Sequence, residues 1–378
     1  MIKSKCFSDK NYLIIGMGKT GCSIYKTLIS SKANPYFWED NPKISRKMQK
    51  KGYQKFSKKV DQIDYIIPSP GINIKGRTAH KLIKKLKSKK TKILSELDLF
   101  QIYLNNLKHR KKVKIIAVTG TNGKSTTVSL IHHILKQNKL NSQLAGNIGK
   151  PIFNIRPTKQ GFYIIELSSY QLECSNIFQP DIACILNLTP DHLERHKSMI
   201  SYAKAKLNIF KNLNSSKKGF YDNDPFLNKI IKKNFTKDKL INIRPINKDI
   251  KKSYEDLKKN EKKLLRSNQN FKFSYEILRE LGLSNYKIFN SMNTFKGLKY
   301  RQQIIYSDQK KIFINDSKST NYYSLLDALK KFREIILICG GLEKSKDINI
   351  LDNNLKQIKK VIIIGENSNT LFKYFQHK

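Results

Sequence analysis

Gly120, Gly123, Lys124 and Ser125 stand close together in KIIAVTGTNGKSTTVSLIHHIL (114–135), and these residue types in this order suit the holding of a phosphate chain. An apolar run from Ile115 to Val118 reads as a buried strand. It breaks at Gly120 and Gly123 and restarts at Lys124 with helical periodicity. Glycines there let backbone N–H groups turn inward on a phosphate, at a helix N-terminus whose dipole favours anions. Lys124 adds a point charge for the terminal phosphates, and the Ser125 hydroxyl is placed to ligate Mg²⁺. The loop is not the common GxxxxGK[ST] form, because Val118 stands where that pattern has Gly. A plain glycine turn would not gather Gly, Lys and two hydroxyl residues, so ATP use is the first expectation.

Further along, Gly146-Asn147-Ile148-Gly149 places an Asn between glycines, and a buried strand then delivers Glu166 into ELSSYQLE (166–173). A carboxylate at a strand's C-terminal end, in the same domain as a phosphate loop, suits a Mg²⁺ ligand. The alternative is a helix-capping acid beside Ser168 and Ser169. The strand ILNL leads into TPDHLERH, which puts Asp191 and His192 at another strand exit. In the helix around 199–210, Met199, Tyr202, Ala203, Ile209 and Phe210 form an apolar face, and Lys206 falls within it. A lysine aimed inward must be paired, neutralised or modified, unless its stem snorkels to water.

The elements that must position these residues read as α/β layers in series. NYLIIGMG (11–18) is a strand running into Gly16-Met17-Gly18-Lys19-Thr20-Gly21, followed by a helix; a second strand, PYFWED, ends at Glu39 and Asp40. DYIIPSPGI (64–72) is a third strand. The GxGxxG with an acid downstream fits a dinucleotide fingerprint, but no hydride-transfer constellation follows, so a nicotinamide enzyme is the weaker reading. Central strands are expected near 113–118, 162–167 and 182–188, with Lys/Asn-rich residues 211–270 less readable. KIFIND (311–316), EIILICGG (334–341) and KVIIIGE (360–366) read as parallel-type strands of a third unit. The expected division is 1–109, 110–296 and 297–378, with a polar linker around 105–113.

Bulk properties narrow the class. The chain has 378 residues and scattered cysteines (Cys6, Cys22, Cys174, Cys184 and Cys339) without CxxC pairing, which suits a reducing compartment. Its longest apolar runs are strand-sized, so a soluble, cytoplasmic protein with no membrane partner is expected. The net charge of +45 comes overwhelmingly from Lys spread along the whole chain, without an Arg-aromatic patch or nucleic-acid motif, and reads as a solvated coat.

With these residues in hand, the chain resembles the Mur ligases, and within them the D-glutamate-adding branch. The resemblance rests on GTNGKST (120–126), GNIG (146–149), ELSSYQLE (166–173), NLTPDHLERH (187–196), AKLNIF (205–210), GLKYR (297–301) and NDSKSTN (315–321). It implies a Rossmann-like N-terminal domain, a central P-loop ATPase-type domain with a mostly parallel sheet, and an incomplete Rossmann-like C-terminal domain. The implied reaction joins D-glutamate to UDP-N-acetylmuramoyl-L-alanine with ATP, through an acyl phosphate, in peptidoglycan precursor synthesis, carried out by a monomer.

Roles follow residue by residue from the resemblance. Gly120, Thr121, Asn122, Gly123, Lys124, Ser125 and Thr126 would hold the ATP phosphates, with Asn270 on adenine and Arg301, Asp316 and Lys318 closing over the nucleotide. Ser125 and Glu166 would hold one Mg²⁺; His192 and a carbamylated Lys206 would hold a second. Lys124, Glu166, His192 and Lys206 are thus the catalytic candidates. Lys19, Thr20, Glu39, Ser69, Gly71, Asn147 and His192 would cradle the UDP-sugar, and Thr320 and Lys344 would meet D-glutamate.

The pattern also departs from the family. Ser-Asn-Gln-Asn (267–270) keeps Asn270 but not the family's Gly and His; Tyr300-Arg301-Gln302-Gln303 keeps only the Arg; GGLEKSKD (340–347) keeps Lys344. Family members continue beyond the position of Lys378 to a loop that helps bind D-glutamate, so a truncated C-terminal domain is expected. Two classes of function therefore stay open at this point: an active ligase, and a catalytically impaired derivative that binds nucleotide or UDP-sugar without turnover.

Overall fold

The computed structural model describes residues 2–57, 60, 62–74, 78–86, 91–240, 243–246, 258–260, 268–342 and 347–376. The chain divides into two compact units, Met1–Asn187 with Ile200–Phe295, and Leu188–Met199 with Lys296–Lys378. Among the described residues no helix is long and apolar enough to cross a membrane.

The first unit carries two parallel sheets. In one, β1 (Asn11–Ile15), β2 (Asn34–Trp38), β3 (Tyr65–Pro68) and β4 (Lys92–Ile93) lie in the order β2-β1-β3-β4. Successive residues of β1 are buried rather than alternate ones, as in a parallel sheet covered on both faces. The helix Lys19–Ser30 makes the crossover to β2 and buries Ile24, Tyr25 and Leu28. The second sheet comprises β5 (Val113–Thr119), β6 (Ser142–Gly146), β7 (Gly161–Glu166), β8 (Ile182–Ile185), β9 (Lys218–Asp222) and β10 (Ile243–Ile246), in the order β10-β9-β8-β5-β7-β6. Every pairing in it is parallel. Strands β6 and β7 lie on one side of β5 and β8 to β10 on the other, so the loop leaving β5 opens where the crossover direction reverses. In open α/β sheets that position is the ligand crevice. Ile116, Val118, Val128, Ile131, Ile134, Phe273 and Ile277 belong to the core that joins β5 to the helices Lys124–Gln137 and Gln269–Glu280.

The second unit corrects one expectation. KIFIND does not pair in parallel: β12 (Ile312–Asn315) forms an antiparallel hairpin with β11 (Gln303–Ser307). The turn between them decides this, because Asp308 Oδ1 accepts the backbone N–H groups of Lys310 and Lys311, both at 2.8 Å. An Asx turn of this kind reverses the chain within a few residues and leaves no length for a crossover. The other two strands are parallel as expected: β13 (Ile335–Gly340) pairs with β14 (Ile358–Ile364).

Candidate active site

The phosphate loop folds as its residue types require. Strand β5 ends at Thr119, Gly120 adopts φ +153°, and Gly123 adopts a left-handed φ of +80° as the cap of the helix Lys124–Gln137. A Cβ on Gly123 would stand 2.2 Å from Asn270 Oδ1, so Asn270 packs directly on the loop; it also accepts from Thr127 Oγ1 at 3.2 Å. The loop and the sequence-predicted adenine residue are therefore brought together. Lys124 Nζ lies back over its own loop, donating to the carbonyls of Gly120 (2.9 Å) and Thr121 (2.7 Å). Ser125 is buried in the first turn of the helix, and Thr126 follows it half-buried.

Glu166 closes β7 beside the loop. Val118 and Glu166 are register partners, as are Gly146 and Glu166 on the other side, so the Glu166 carboxylate and the GNIG loop share the C-terminal edge of the sheet with the phosphate loop. Gly146 is needed there: with φ +105°, its Cβ would meet the Glu166 carbonyl oxygen at 2.3 Å. Asn147 Nδ2 donates to Glu166 Oε1 at 2.8 Å, and the Asn147 backbone N–H donates to the Glu166 carbonyl at 2.9 Å. Glu166 Oε2 is buried and accepts no hydrogen bond. The capping alternative is resolved, because Ser168 caps the helix Ser169–Glu173 through a reciprocal box with Gln171.

A buried carboxylate oxygen with no donor costs free energy unless a cation takes it. Glu166 Oε2 and the Ser125 hydroxyl are hard oxygen donors of the kind Mg²⁺ prefers, with phosphate oxygens and water completing its shell. The residues present therefore fit the ion. This is a mixed oxygen set; the described residues contain no group of three His, Cys, Asp or Glu that could hold a metal.

Lys206 is only 2% exposed, which decides against a snorkelling stem. Its Nζ donates to the Gly120 carbonyl at 2.8 Å and to Thr119 Oγ1 at 3.4 Å, and lies 4.7 Å from the centre of the Tyr202 ring. Lys124 and Lys206 thus share the Gly120 carbonyl. Tyr202, read from sequence only as part of an apolar face, also reaches the loop: its hydroxyl is 3.2 Å from Thr121 Oγ1. The signal was its spacing of one helical turn from Lys206, which puts both on one face.

Glu96 also escaped the sequence reading. It lies in the helix Glu96–Asn105, fully buried, and accepts from Gln171 Nε2 at 3.1 Å. Burial pushes its carboxyl up to about 7. It therefore touches ELSSYQLE from behind. An acid at a helix start looks like ordinary dipole compensation in a sequence, which is why it gave no signal.

The glycine loop after β1 is built for close approach. A Cβ on Gly21 would stand 2.2 Å from the Gly16 carbonyl, and Gly16 (φ +90°) packs on Ser69, whose Oγ donates to that carbonyl at 2.8 Å. Glu39 accepts the N–H of Met17 at 2.8 Å and of Asn41 at 3.0 Å, so it holds the loop in place. Lys19 is exposed and Thr20 half-buried at the helix start, with Gly71 exposed after β3. Lys19, Thr20, Glu39, Ser69 and Gly71 thus cluster at the C-terminal edge of the first sheet.

In the second unit, His192 has a left-handed φ of +54° and begins the short helix Leu193–His196. Its Nε2 is 3.6 Å from Asp191 and its Nδ1 3.5 Å from Glu194. Arg301, Asp316 and Lys318 gather where β11 and β12 meet. Asp316 Oδ1 accepts the Gln302 N–H at 3.0 Å, and the Lys318 N–H donates to the Tyr300 carbonyl at 3.0 Å. Partial burial raises the Asp316 carboxyl above its ordinary value, opposed by the Gln302 N–H and by Arg301. Thr320 is exposed next to the helix Tyr322–Leu329, and Lys344 lies outside the described residues.

Comparison with known proteins bears on what these parts serve. Residues 118–295 match the Mur ligase middle domain. The UDP-N-acetylmuramoylalanine--D-glutamate ligase of Rickettsia bellii is 33% identical over 94% of this chain and 82% of the relative. The chain belongs to the Mur ligase family. The same-named ligase of Zymomonas mobilis is 29% identical over 97% of this chain and 84% of its own length, so the similarity is to the D-glutamate-adding branch. Among solved structures, the UDP-N-acetylmuramate-alanine ligase of Thermotoga maritima superposes with a TM-score of 0.55, covering 97% of this chain and 88% of that one. Its 15% identity speaks for the Mur ligase fold alone.

Proposed function

We infer that the chain is an ATP-dependent ligase that joins D-glutamate to UDP-N-acetylmuramoyl-L-alanine, releasing ADP and phosphate, in peptidoglycan precursor synthesis. The observation that carries this reading is the pairing of Val118 with Glu166, which sets a phosphate loop beside a buried, unpartnered carboxylate oxygen at one sheet edge. Kinship to the D-glutamate-adding ligases supplies the acceptor and the amine. The division proposed is 1–109 for the UDP-sugar, 110–296 for ATP and 297–378 for the incoming amino acid. A cytoplasmic monomer without nucleic-acid or membrane partners is the proposed setting.

The chemistry proceeds by transfer of the γ-phosphoryl group to the alanyl carboxylate: the bond from phosphorus to ADP breaks and one to the carboxylate oxygen forms. The D-glutamate amine attacks the acyl carbon, and the tetrahedral intermediate expels phosphate to leave the amide. Backbone N–H groups at the start of the helix Lys124–Gln137 orient the phosphates. Lys124 reaches them by exchanging two loop carbonyls for phosphate oxygens, so its ammonium stabilises the charge that develops in transfer. Asn147 fixes Glu166 Oε1 and thereby aims Oε2. Bound Mg²⁺ would supply charge neutralisation on the phosphates, held by Ser125 and Glu166.

The remaining roles follow the family resemblance. His192 and a carbamylated Lys206 are the proposed ligands of a second Mg²⁺; carbamylation would turn a buried cation beside Lys124 into an oxygen donor. Asn270, Arg301, Asp316 and Lys318 are assigned to the nucleotide, Thr320 and Lys344 to D-glutamate. Lys19, Thr20, Glu39, Ser69, Gly71, Asn147 and His192 are assigned to the UDP-sugar. The test is product formation by mass spectrometry with ATP, Mg²⁺, the UDP-muramoyl substrate and D-glutamate. A conjugate that forms only with all of them supports the reading. No conjugate from folded, ATP-binding chain refutes it.

A further inference from the structure

We propose that Asn187 is a positioning residue that sets the shape of the phosphate loop by committing the backbone N–H groups of Thr121 and Asn122 to the protein. The proposal rests on the ATP reading of this loop.

Asn187 lies just past the end of β8, the strand next to β5, and its side chain is inserted against the loop's outer edge. Its Oδ1 accepts both the Thr121 N–H (3.1 Å) and the Asn122 N–H (2.8 Å). Its Nδ2 donates back to the Asn122 carbonyl at 3.1 Å and to Gln269 Oε1 at 3.3 Å. Its own carbonyl takes a share of the Thr121 N–H, also at 3.1 Å. One side chain therefore bonds two consecutive loop residues at three backbone atoms and ties them to the start of the helix that carries Asn270. The fit is close: a Cβ on Gly120 would lie 3.0 Å from Leu186 Cβ and 3.3 Å from the Asn187 nitrogen.

The chemistry requires an amide. A carboxylate in the same place would accept the two N–H groups but could donate neither to Asn122 nor to Gln269, and would set a negative charge beside the triphosphate. An apolar side chain would leave the Asn122 N–H and carbonyl to find other partners and the Thr121 N–H with the Asn187 carbonyl alone. Two N–H groups already spent on Oδ1 point toward β8, so the helix N-terminus supplies the phosphate donors.

Two measurements test this. In the intact chain without nucleotide, hydrogen exchange resolved by residue should show the Thr121 and Asn122 amides protected at least tenfold relative to unstructured amides, changing little when ATP and Mg²⁺ are added. The amides of residues 123–126 should gain protection on that addition. Thr121 and Asn122 amides that exchange freely without nucleotide overturn the proposal. Second, Asn187→Asp should raise the KM for ATP at least tenfold, with the KM for the UDP-sugar and for D-glutamate changing less than twofold and the thermal midpoint close to that of the parent. Parent-like ATP affinity in folded Asn187→Asp overturns it as well. If the parent chain binds no ATP, the ATP reading fails, while amide protection without nucleotide still judges the role of Asn187 in shaping the loop.

Discussion

Replacing Gly123 with Ala tests the loop geometry through two separable costs. The left-handed φ of +80° costs an alanine about 1 kcal/mol. The new Cβ would also stand 2.2 Å from Asn270 Oδ1, the end of a side chain that can turn away. Turning away forfeits the bond from Thr127 Oγ1, worth about 1 kcal/mol. Gly123→Ala should therefore destabilise the first unit by about 2 kcal/mol. In an Asn270→Ala background the clash is gone and only the backbone term is left, so the same substitution should cost about 1 kcal/mol. The double-mutant cycle then gives a coupling of about 1 kcal/mol. The assay is urea unfolding followed by Trp38, the chain's one tryptophan, which lies in β2 of the same unit. Costs that add within about 0.3 kcal/mol would mean that Asn270 does not pack on Gly123.

Three further outcomes are expected. Lys206→Ala should lower kcat at least a hundredfold and regain part of it with added formate or acetate; a fully active Lys206→Ala would end the carbamate assignment. Glu96 binds a proton up to about pH 7 in the folded chain but, at its ordinary value, only up to about 4.5 when unfolded, so it favours folding at low pH and stability is lost as pH rises from about 4.5 to 7. Glu96→Gln should flatten that slope and raise stability at pH 8 by up to about 3 kcal/mol, measured by urea unfolding at several pH values; an unchanged slope refutes the buried-acid account. Gly21→Ala forces a Cβ against the Gly16 carbonyl, and should raise the KM for the UDP-sugar several-fold while sparing that for ATP; the reverse pattern would misplace the first glycine loop.

Much of the site was legible because its residue types are dictated locally. A strand, two glycines and a Lys-Ser pair give a phosphate loop from sequence alone, and a lysine on an apolar helix face announces itself. What escaped has equally physical reasons. Strand β6 (SQLAG) is short and polar, without the apolar run that marks β5. Strand β11 was hidden because its pairing is set by the Asp308 turn that follows it. Contacts between elements distant in sequence, such as Glu96 with Gln171 across two helices or Asn147 with Glu166 across two strands, depend on how the elements pack, which no local pattern encodes. Asn147 illustrates the difference: its type and flanking glycines mark it as notable, but that it orients a carboxylate follows only from the register of β6 on β7.

Isotope transfer from the alanyl carboxylate to phosphate reports whether an acyl phosphate forms. UDP-N-acetylmuramoyl-L-alanine labelled with ¹⁸O in its alanyl carboxylate is turned over with ATP and D-glutamate, and the released phosphate is weighed by mass spectrometry. An acyl phosphate built on the loop of Lys124 predicts one labelled oxygen in each phosphate released, and none without the labelled substrate. Label that appears in AMP, or product formed with unlabelled phosphate, would contradict it.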